Sequence, residues 1–321
     1  MRKTLLGIVA YGNLSFLKLS LCEALTTAKG PLDIAVVVAM PGDMEMIKWL
    51  RGYPVQIIIN NSNKGLAGSV NDLTDRAFFE SDYDNLIIMG NDVVPYPNAI
   101  DAMIECANST LYEWICSTQF SVKMLTTRYP EAGRYFAGNN LLFTDFTARP
   151  WDLHSPAELA PKEEIPGIRQ GGIRDLCLFK RSVFLKIGYA DVNFWPNGYS
   201  EDIDFCRRAL LADVKGCALP NSTYFHFWSR TIHQGEKRAH DKFFLQNQFY
   251  YERKWGGHKG SERFAIPFSG EKYKLTHGLT VAPSLKIDSR VDEIRLVEFW
   301  QSDAVKLLSA DALRAQPRLH L

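Results

Sequence analysis

Short unbroken apolar runs bounded by Gly, Asn and Asp alternate with amphipathic segments through the first part of the chain. Thr4 to Tyr11, Ile34 to Met40, Val55 to Ile59 and Leu86 to Met89 predict buried strands, because continuous apolar runs suit a sheet covered on both faces. Leu14 to Ala28, Met44 to Leu50 and Leu66 to Phe79 predict the intervening helices. Strand and helix alternating in this way build βαβ units around a parallel sheet. Right-handed crossovers then put the loops after the strands along one edge. Those loops are Tyr11-Gly12-Asn13, Pro41-Gly42-Asp43, Asn60 to Gly65 and Gly90-Asn91-Asp92, all rich in Gly, Asn and Asp.

The later pattern is less regular. Asn98 to Ala107 predicts a helix and Trp114 to Phe120 a strand, after which Thr126 to Gly172 carries repeated Pro and Gly and predicts a long functional loop. Leu176 to Phe179, Cys217 to Leu219 and Ser222 to Phe227 predict strands. Ser182 to Ile187, Ile203 to Ala212, Lys242 to Lys254 and Ser302 to Ala315 predict helices. Pro95 and Pro97 predict that the chain does not continue as strand or helix past that point.

Composition narrows the class. The chain has 321 residues, 46% of them hydrophobic and 23% charged, with a formal net charge of +1. These values fit a soluble globular protein and supply no global field for nucleic acid or an anionic membrane. No segment approaches the roughly 18 to 20 apolar residues of a membrane helix. Met1-Arg2-Lys3 before Leu5 to Ala10 imitates a secretion signal, but the run is short and lacks a small-residue cleavage pattern, so it reads as the first buried strand. Cys22, Cys106, Cys116, Cys177, Cys206 and Cys217 are dispersed without a CxxC pair. They predict free thiols in a reducing, cytoplasmic setting.

Candidate chemistry concentrates in four segments. Leu86 to Met89 delivers Asp92 to the C-terminal end of a buried strand, where open α/β sheets place ligands. Asn60 to Asn71 joins a strand to a helix. Gly65 and Gly68 there permit close backbone approach, and the helix start suits a diphosphate, although the same residues also suit ordinary capping. Its spacing fits neither the Walker phosphate loop nor GxGxxG. Gly198 to Arg208 places Glu201, Asp202 and Asp204 at a helix start, where they either simply suit the helix dipole or, behind the aromatic rings of Trp195 and Tyr199, serve a sugar-like acceptor whose hydroxyl a carboxylate deprotonates. His226 ends an aromatic run, either as a packed core residue or, with Asp92, as a divalent-ion ligand.

Taken in order, these motifs resemble those of GT-A fold glycosyltransferases, closest to the family-2-like inverting enzymes. The similar stretches are Ala10-Tyr11-Gly12-Asn13, Pro41-Gly42-Asp43, Asn63 to Gly68 as an NxGxAG-type loop, and Gly90 to Pro95 as the metal motif. Glu201 to Arg207 resembles the EDxDxxxR signature, His226 with Ser229 the late metal-binding histidine, and Lys254-Trp255-Gly256 a closing KWG. Gly90 and Asn91 stand where the metal motif has acidic residues, which leaves Asp92 as its sole carboxylate.

The resemblance implies a GT-A domain over 1–260, with a Rossmann-like nucleotide-sugar-binding half at 1–97, an acceptor and catalytic half at 98–260, and an extension at 261–321. It implies a mostly parallel central sheet flanked by helices. Implied roles are Asp202 as general base, Glu201 orienting the acceptor, and Asp92 and His226 holding Mn²⁺ or Mg²⁺. Ala10, Tyr11, Gly12, Asn13, Asp43, Asn63, Gly65 and Asn91 would bind a nucleoside diphosphate sugar, and Trp195 and Tyr199 a hydroxyl-bearing acceptor, a saccharide or a modified DNA base. The basic residues Arg230, Lys237, Arg238, Lys242, Arg253, Lys254, Lys259 and Arg263 make the DNA acceptor thinkable, against the simpler reading as a solvated face. Two competing functions are a sugar-1-phosphate nucleotidyltransferase, which shares the early α/β layout, and a non-catalytic nucleotide-sugar-binding module.

Overall fold

Alternation inside the apolar runs divides their side chains between the two faces of a sheet. In the computed structural model, which describes residues 3–30, 32–120, 165–166, 175–194, 199–226 and 237–268, the first strand β1 (Thr4–Ala10) is buried throughout. Its Leu5 and Val9 join one core cluster, while Leu6, Ile8 and Ala10 join another on the opposite face. β2 (Asp33–Val38) divides likewise, Ala35 and Val37 against Ile34, Val36 and Val38, and β4 (Asn85–Gly90) sends Leu86 and Ile88 one way and Ile87 and Met89 the other. Both faces must therefore be covered.

Helices supply the cover. On the Leu5 face lies α3 (Gly65–Phe78), through Ala67, Val70, Leu73 and Phe78. On the other face lie α1 (Leu14–Thr27), α2 (Met44–Leu50) and α4 (Ala99–Ser109), through residues such as Leu17, Met46 and Met103. Gly7 sits between Leu5 and Val9 because α3 is close: a Cβ there would come within 2.6 Å of Leu73 Cδ1.

The strand order across the sheet is β3 (Gln56–Ile59), β2, β1, β4, β8 (Leu176–Lys180), β6 (Trp114–Phe120), β9 (Gly216–His226) and β5 (Val93–Pro95), with β7 (Ile165–Pro166) also paired to β9. β3, β2, β1 and β4 are mutually parallel. β8 opposes β4, and β6 opposes β8, so β6 runs with β4 again. β9 is parallel to β6. The sequence predicts two strands at Cys217 to Leu219 and Ser222 to Phe227. Instead one strand passes through a register shift, Ser117 pairing with Leu219 and Thr118 with Thr223, so that Pro220 to Ser222 bulge without ending the ladder.

Pro95, expected to stop the strand, closes β5, an unexpected short strand that pairs antiparallel with β9. β5 is the outermost strand on that side, where a residue without an N–H costs the ladder nothing. The last helix among the described residues, α7 (Lys237–Trp255), begins before the expected Lys242. The expected helix at Ser302 to Ala315 and most of the irregular Thr126 to Gly172 stretch lie outside the described residues. All six cysteines are free thiols, and among the described residues no helix is long and apolar enough to cross a membrane.

Two further helices, α5 (Arg181–Ile187) and α6 (Glu201–Leu211), complete the Leu5 face. α6 is tied to α7 by buried charge. Lys254 Nζ lies 2.6 Å from Asp191 and 2.7 Å from Asp204, and Arg208 Nε lies 2.9 Å from Asp204. Trp255 Nε1 donates to Asp204 at 2.8 Å, Tyr250 donates its hydroxyl to Asp191, and Arg208 Nη1 donates to the carbonyls of Ile187 and Tyr189. Two cations thus offset two carboxylates, and added hydrogen bonds reduce the desolvation cost. The chain then turns at Gly256 (φ +71°) and folds back, with Phe264 and Phe268 donating their backbone N–H groups to Trp255 and Lys254 carbonyls.

Removing one partner of such a cluster strands the others. Lys254→Met is expected to lower stability in urea by about 3–5 kcal/mol. Burial alone would raise the Asp191 carboxyl pKa, but the charge and hydrogen bond of Lys254, the Asn193 N–H and the Arg208 charge outweigh it and hold the carboxyl below its ordinary value. A depressed carboxylate contributes stability above its unfolded value, about 3.9, and loses it as pH falls through the folded value. The urea midpoint should therefore drop more steeply below about pH 4 in the wild type than in Asp191→Asn.

Candidate active site

Strand direction decides which residues meet. β4, β6 and β9 point the same way and β8 points against them, so the C-terminal ends of β4 and β9 share one sheet edge with the N-terminal end of β8. Asp92 follows β4, His226 closes β9, and Asp175 immediately precedes β8. In register, Met89 lies opposite Leu176 and Val93 opposite His226. Three residues remote in sequence therefore converge. His226 Nε2 is 3.4 Å from Asp92 Oδ2, and His226 Nδ1 is 3.6 Å from Asp175 Oδ1. All three side chains remain partly exposed, between 15% and 18%. Asp175 also accepts the Tyr224 hydroxyl at 3.1 Å. Burial first, and then the Asp175 charge, raise the Tyr224 phenol well above its ordinary pKa, so it stays a donor.

Asp92 and His226 suit a divalent ion by donor type, a hard carboxylate oxygen with an imidazole nitrogen. Their 3.4 Å separation is shorter than two metal–ligand bonds of about 2.1 Å end to end, so one ion can touch both. No group of three or more His, Cys, Asp or Glu side chains suited to a metal occurs among the described residues. Among the described residues an ion here would take two protein ligands and leave its other positions to other oxygens and water, the usual habit of Mg²⁺.

The first loop is held against the same strand end. Asn91 Nδ2 donates to the Gly12 carbonyl at 2.9 Å, its backbone N–H donates to Val9, and its carbonyl accepts the Ser20 hydroxyl. Asn91, expected to bind donor, is 6% exposed and directs its amide at this loop. Gly12 and Asn13 take positive φ values of 62° and 52°, which turn the chain sharply into α1. Ala10 is buried and its carbonyl accepts from Ala39, whereas Tyr11 is 40% exposed beside the turn.

Other residues expected at the donor site make local caps. Asp43 accepts the Met46 N–H at the start of α2, and Asn63 accepts the Gly65 N–H where Gly65 (φ +67°) opens α3. Gly68 is confined by Lys64, because a Cβ there would lie 2.6 Å from the Lys64 Cβ. Lys64 pairs with Asp72 at 2.9 Å.

The acidic pair stands on α6, whose first turn contains Glu201, Asp202 and Asp204. Glu201 is 1% exposed and Asp202 9%. Asp202 Oδ1 accepts the Ile203 N–H at 2.9 Å. Tyr199 and Ser200 enter the helix with φ of 74° and 67°, a left-handed pair costly for a bulky residue and of the kind that collects at functional sites. Tyr199 packs edge-on against Phe244 at 5.3 Å. Trp195 and Ser229 lie outside the described residues.

The structure thus brings Gly12 to Asn91 and Asp92 to His226, and leaves Asp202 on a separate, rigidly clamped helix. The basic stretch considered for DNA loses Lys254, which is 1% exposed within the charge cluster, while Arg263 Nε is engaged with the Gly256 carbonyl. Sequence reasoning missed Asp175. Its only signal was an acidic residue directly before the apolar run Leu176 to Phe179, the reverse of Asp92 after a run, and the direction of that strand was not legible.

An open mixed sheet whose parallel half carries the Gly/Asn/Asp loops, with β8, β5 and β7 running against their neighbours and helices on both faces, is the GT-A arrangement. Among solved structures, the chain is similar to GalNAc-T7 with UDP, GalNAc and Mn²⁺, at 11% identity and a TM-score of 0.50 over 79% of this chain and 50% of that one. It also aligns with S. aureus TarS 1–349, at 12% identity and TM-score 0.49 over 79% of this chain and 74% of that one. A third alignment is with the mannosyltransferase PcManGT from Pyrobaculum calidifontis in complex with GDP-Man and Mn²⁺, at 11% and 0.49, over 77% and 61%. The chain spans about half of GalNAc-T7. No family model matches the sequence, and no curated protein matches it.

Asn91→Ala removes the tie to Gly12. It should lower stability in urea by only about 1 kcal/mol, because one hydrogen bond is lost and the rest of the first loop keeps its backbone contacts.

Proposed function

We propose that this protein transfers a glycosyl group from a nucleoside diphosphate sugar to an acceptor hydroxyl, with inversion at the anomeric carbon. The observation that carries this reading is the Asp92–His226 pair, 3.4 Å apart at the edge where the Gly/Asn/Asp loops of the parallel half end. The GT-A fold shared with GalNAc-T7, a protein seen with UDP, GalNAc and Mn²⁺, supports the same class of donor and ion.

Asp92 and His226 would hold Mn²⁺ or Mg²⁺, which supplies Lewis-acid stabilisation of the diphosphate as negative charge builds on it. Tyr11, exposed beside the Gly12 turn, offers a ring face to the base, and the start of α3, where Asn63 already takes the Gly65 N–H, offers the positive end of the helix dipole to phosphate. The acceptor oxygen forms its bond to the anomeric carbon as the bond from that carbon to the diphosphate breaks, and the hydroxyl proton passes to Asp202. Inversion follows because attack and departure take place on opposite faces. Glu201, buried beside Asp202, fits a role in orienting the acceptor through its surroundings, and Tyr199 fits a stacking surface for the acceptor ring.

Incubation with UDP-, GDP- and TDP-sugars and Mn²⁺ should release nucleoside diphosphate and no pyrophosphate; pyrophosphate release would instead indicate a nucleotidyltransferase, and no turnover a binding module. Asp202→Asn should reduce kcat by about 10² to 10⁴-fold with donor affinity retained. Asp92→Ala should abolish the Mn²⁺-dependent part of donor binding in calorimetry. Retention of full turnover by Asp202→Asn would remove the base assignment.

A further inference from the structure

His226 is held from both sides, and the two sides are not equivalent. Asp92 faces Nε2 at 3.4 Å, and Asp175 faces Nδ1 at 3.6 Å. Tyr224 and His226 are two residues apart on β9, so their side chains leave the same face of the strand. Asp175, at the start of the opposed β8, spans the two: Oδ2 accepts the Tyr224 hydroxyl while Oδ1 addresses the imidazole. The hydroxyl restrains the carboxylate and keeps it on the Nδ1 side of the ring, at ion-pair distance and a few tenths of an ångström beyond a full hydrogen bond. A metal-binding imidazole generally donates its other ring N–H to such a carboxylate, which fixes tautomer and orientation.

We propose that Asp175 is a positioning residue that keeps the proton of neutral His226 on Nδ1 and so turns the Nε2 lone pair toward Asp92, with Tyr224 bracing the Asp175 carboxylate. The proposal rests on the Asp92–His226 metal site of the preceding reading. It makes four residues from three strand ends one unit: Asp92 and His226 ligate, and Asp175 and Tyr224 only orient. It also accounts for a metal motif reduced to one carboxylate, since a ligand set of two gains most from having its imidazole aligned beforehand.

Removing Asp175 alone leaves the buried Tyr224 hydroxyl without its acceptor, so the test uses both Asp175→Ala and the double variant Asp175→Ala/Tyr224→Phe, which removes donor and acceptor together. Mn²⁺ alone is titrated into each full-length protein, with free ion followed by electron paramagnetic resonance. The His226 tautomer is read by ¹⁵N NMR of histidine-labelled protein, assigned with His226→Gln. Either Asp175 variant should bind Mn²⁺ about 10 to 100-fold more weakly than wild type, and its His226 signal should move from the Nδ1–H tautomer toward a mixture. Wild-type affinity together with an unchanged tautomer in the double variant would overturn the proposal. Failure of the wild type itself to bind Mn²⁺ would overturn the metal site, while the tautomer still decides whether Asp175 holds the ring.

Discussion

The direction of one strand governs where the chemistry falls. If β8 ran parallel to β4, the residue before Leu176 would lie at the far edge of the sheet, remote from Asp92 and His226. Because β8 is reversed, its first end meets the last ends of β4 and β9, and acidic side chains reach the imidazole from both sides. A parallel sheet by itself collects only residues that follow strands. A single antiparallel insertion adds a residue that precedes one, and with it a carboxylate that can orient a ligand without being one.

Strand ends are fixed by the ladder, whereas α6 packs on the sheet through its apolar face. Its acidic first turn needs another restraint, and the Lys254–Asp191–Asp204–Arg208 cluster supplies it. Asp204 shares a helical turn with Asp202, so whatever fixes Asp204 also fixes the neighbour proposed as base. Trp255 completes the clamp from α7. The Lys-Trp-Gly ending thereby acquires a physical meaning: lysine neutralises, tryptophan donates, and glycine takes the positive φ that turns the chain back over the cluster.

The parallel half was legible because its signal is local. Each strand is an apolar run long enough to be recognised, and burial on both faces leaves no polar alternation to confuse it, so β1, β2 and β4 fall within a residue or two of expectation. The later half was less legible because its pairings are remote. Cys217 to Leu219 and Ser222 to Phe227 looked like two strands, yet β6 on one side supports the ladder past the bulge between them, and β5 was missed because its pairing with β9 is remote in sequence. Asp92, His226 and the acidic start of α6 announced themselves by sitting at the ends of patterned elements. Asp175 did so equally, but the value of an acid at the beginning of a strand depends on which way that strand points, and no local pattern encodes that.

The polar residues of the edge loops divide by what their hydrogen bonds serve. Asp43 and Asn63 satisfy helix starts, and Asn91 satisfies the Gly12 carbonyl, so their conformations are set before any ligand arrives. This is the condition under which backbone groups become useful for recognition: a loop whose side chains are turned inward presents its N–H and C=O groups outward in a fixed pattern. Recognition of a nucleotide by such loops would depend less on side-chain identity than on loop shape. The asparagine at position 91 has such a role, since its amide braces the first loop at the Gly12 carbonyl.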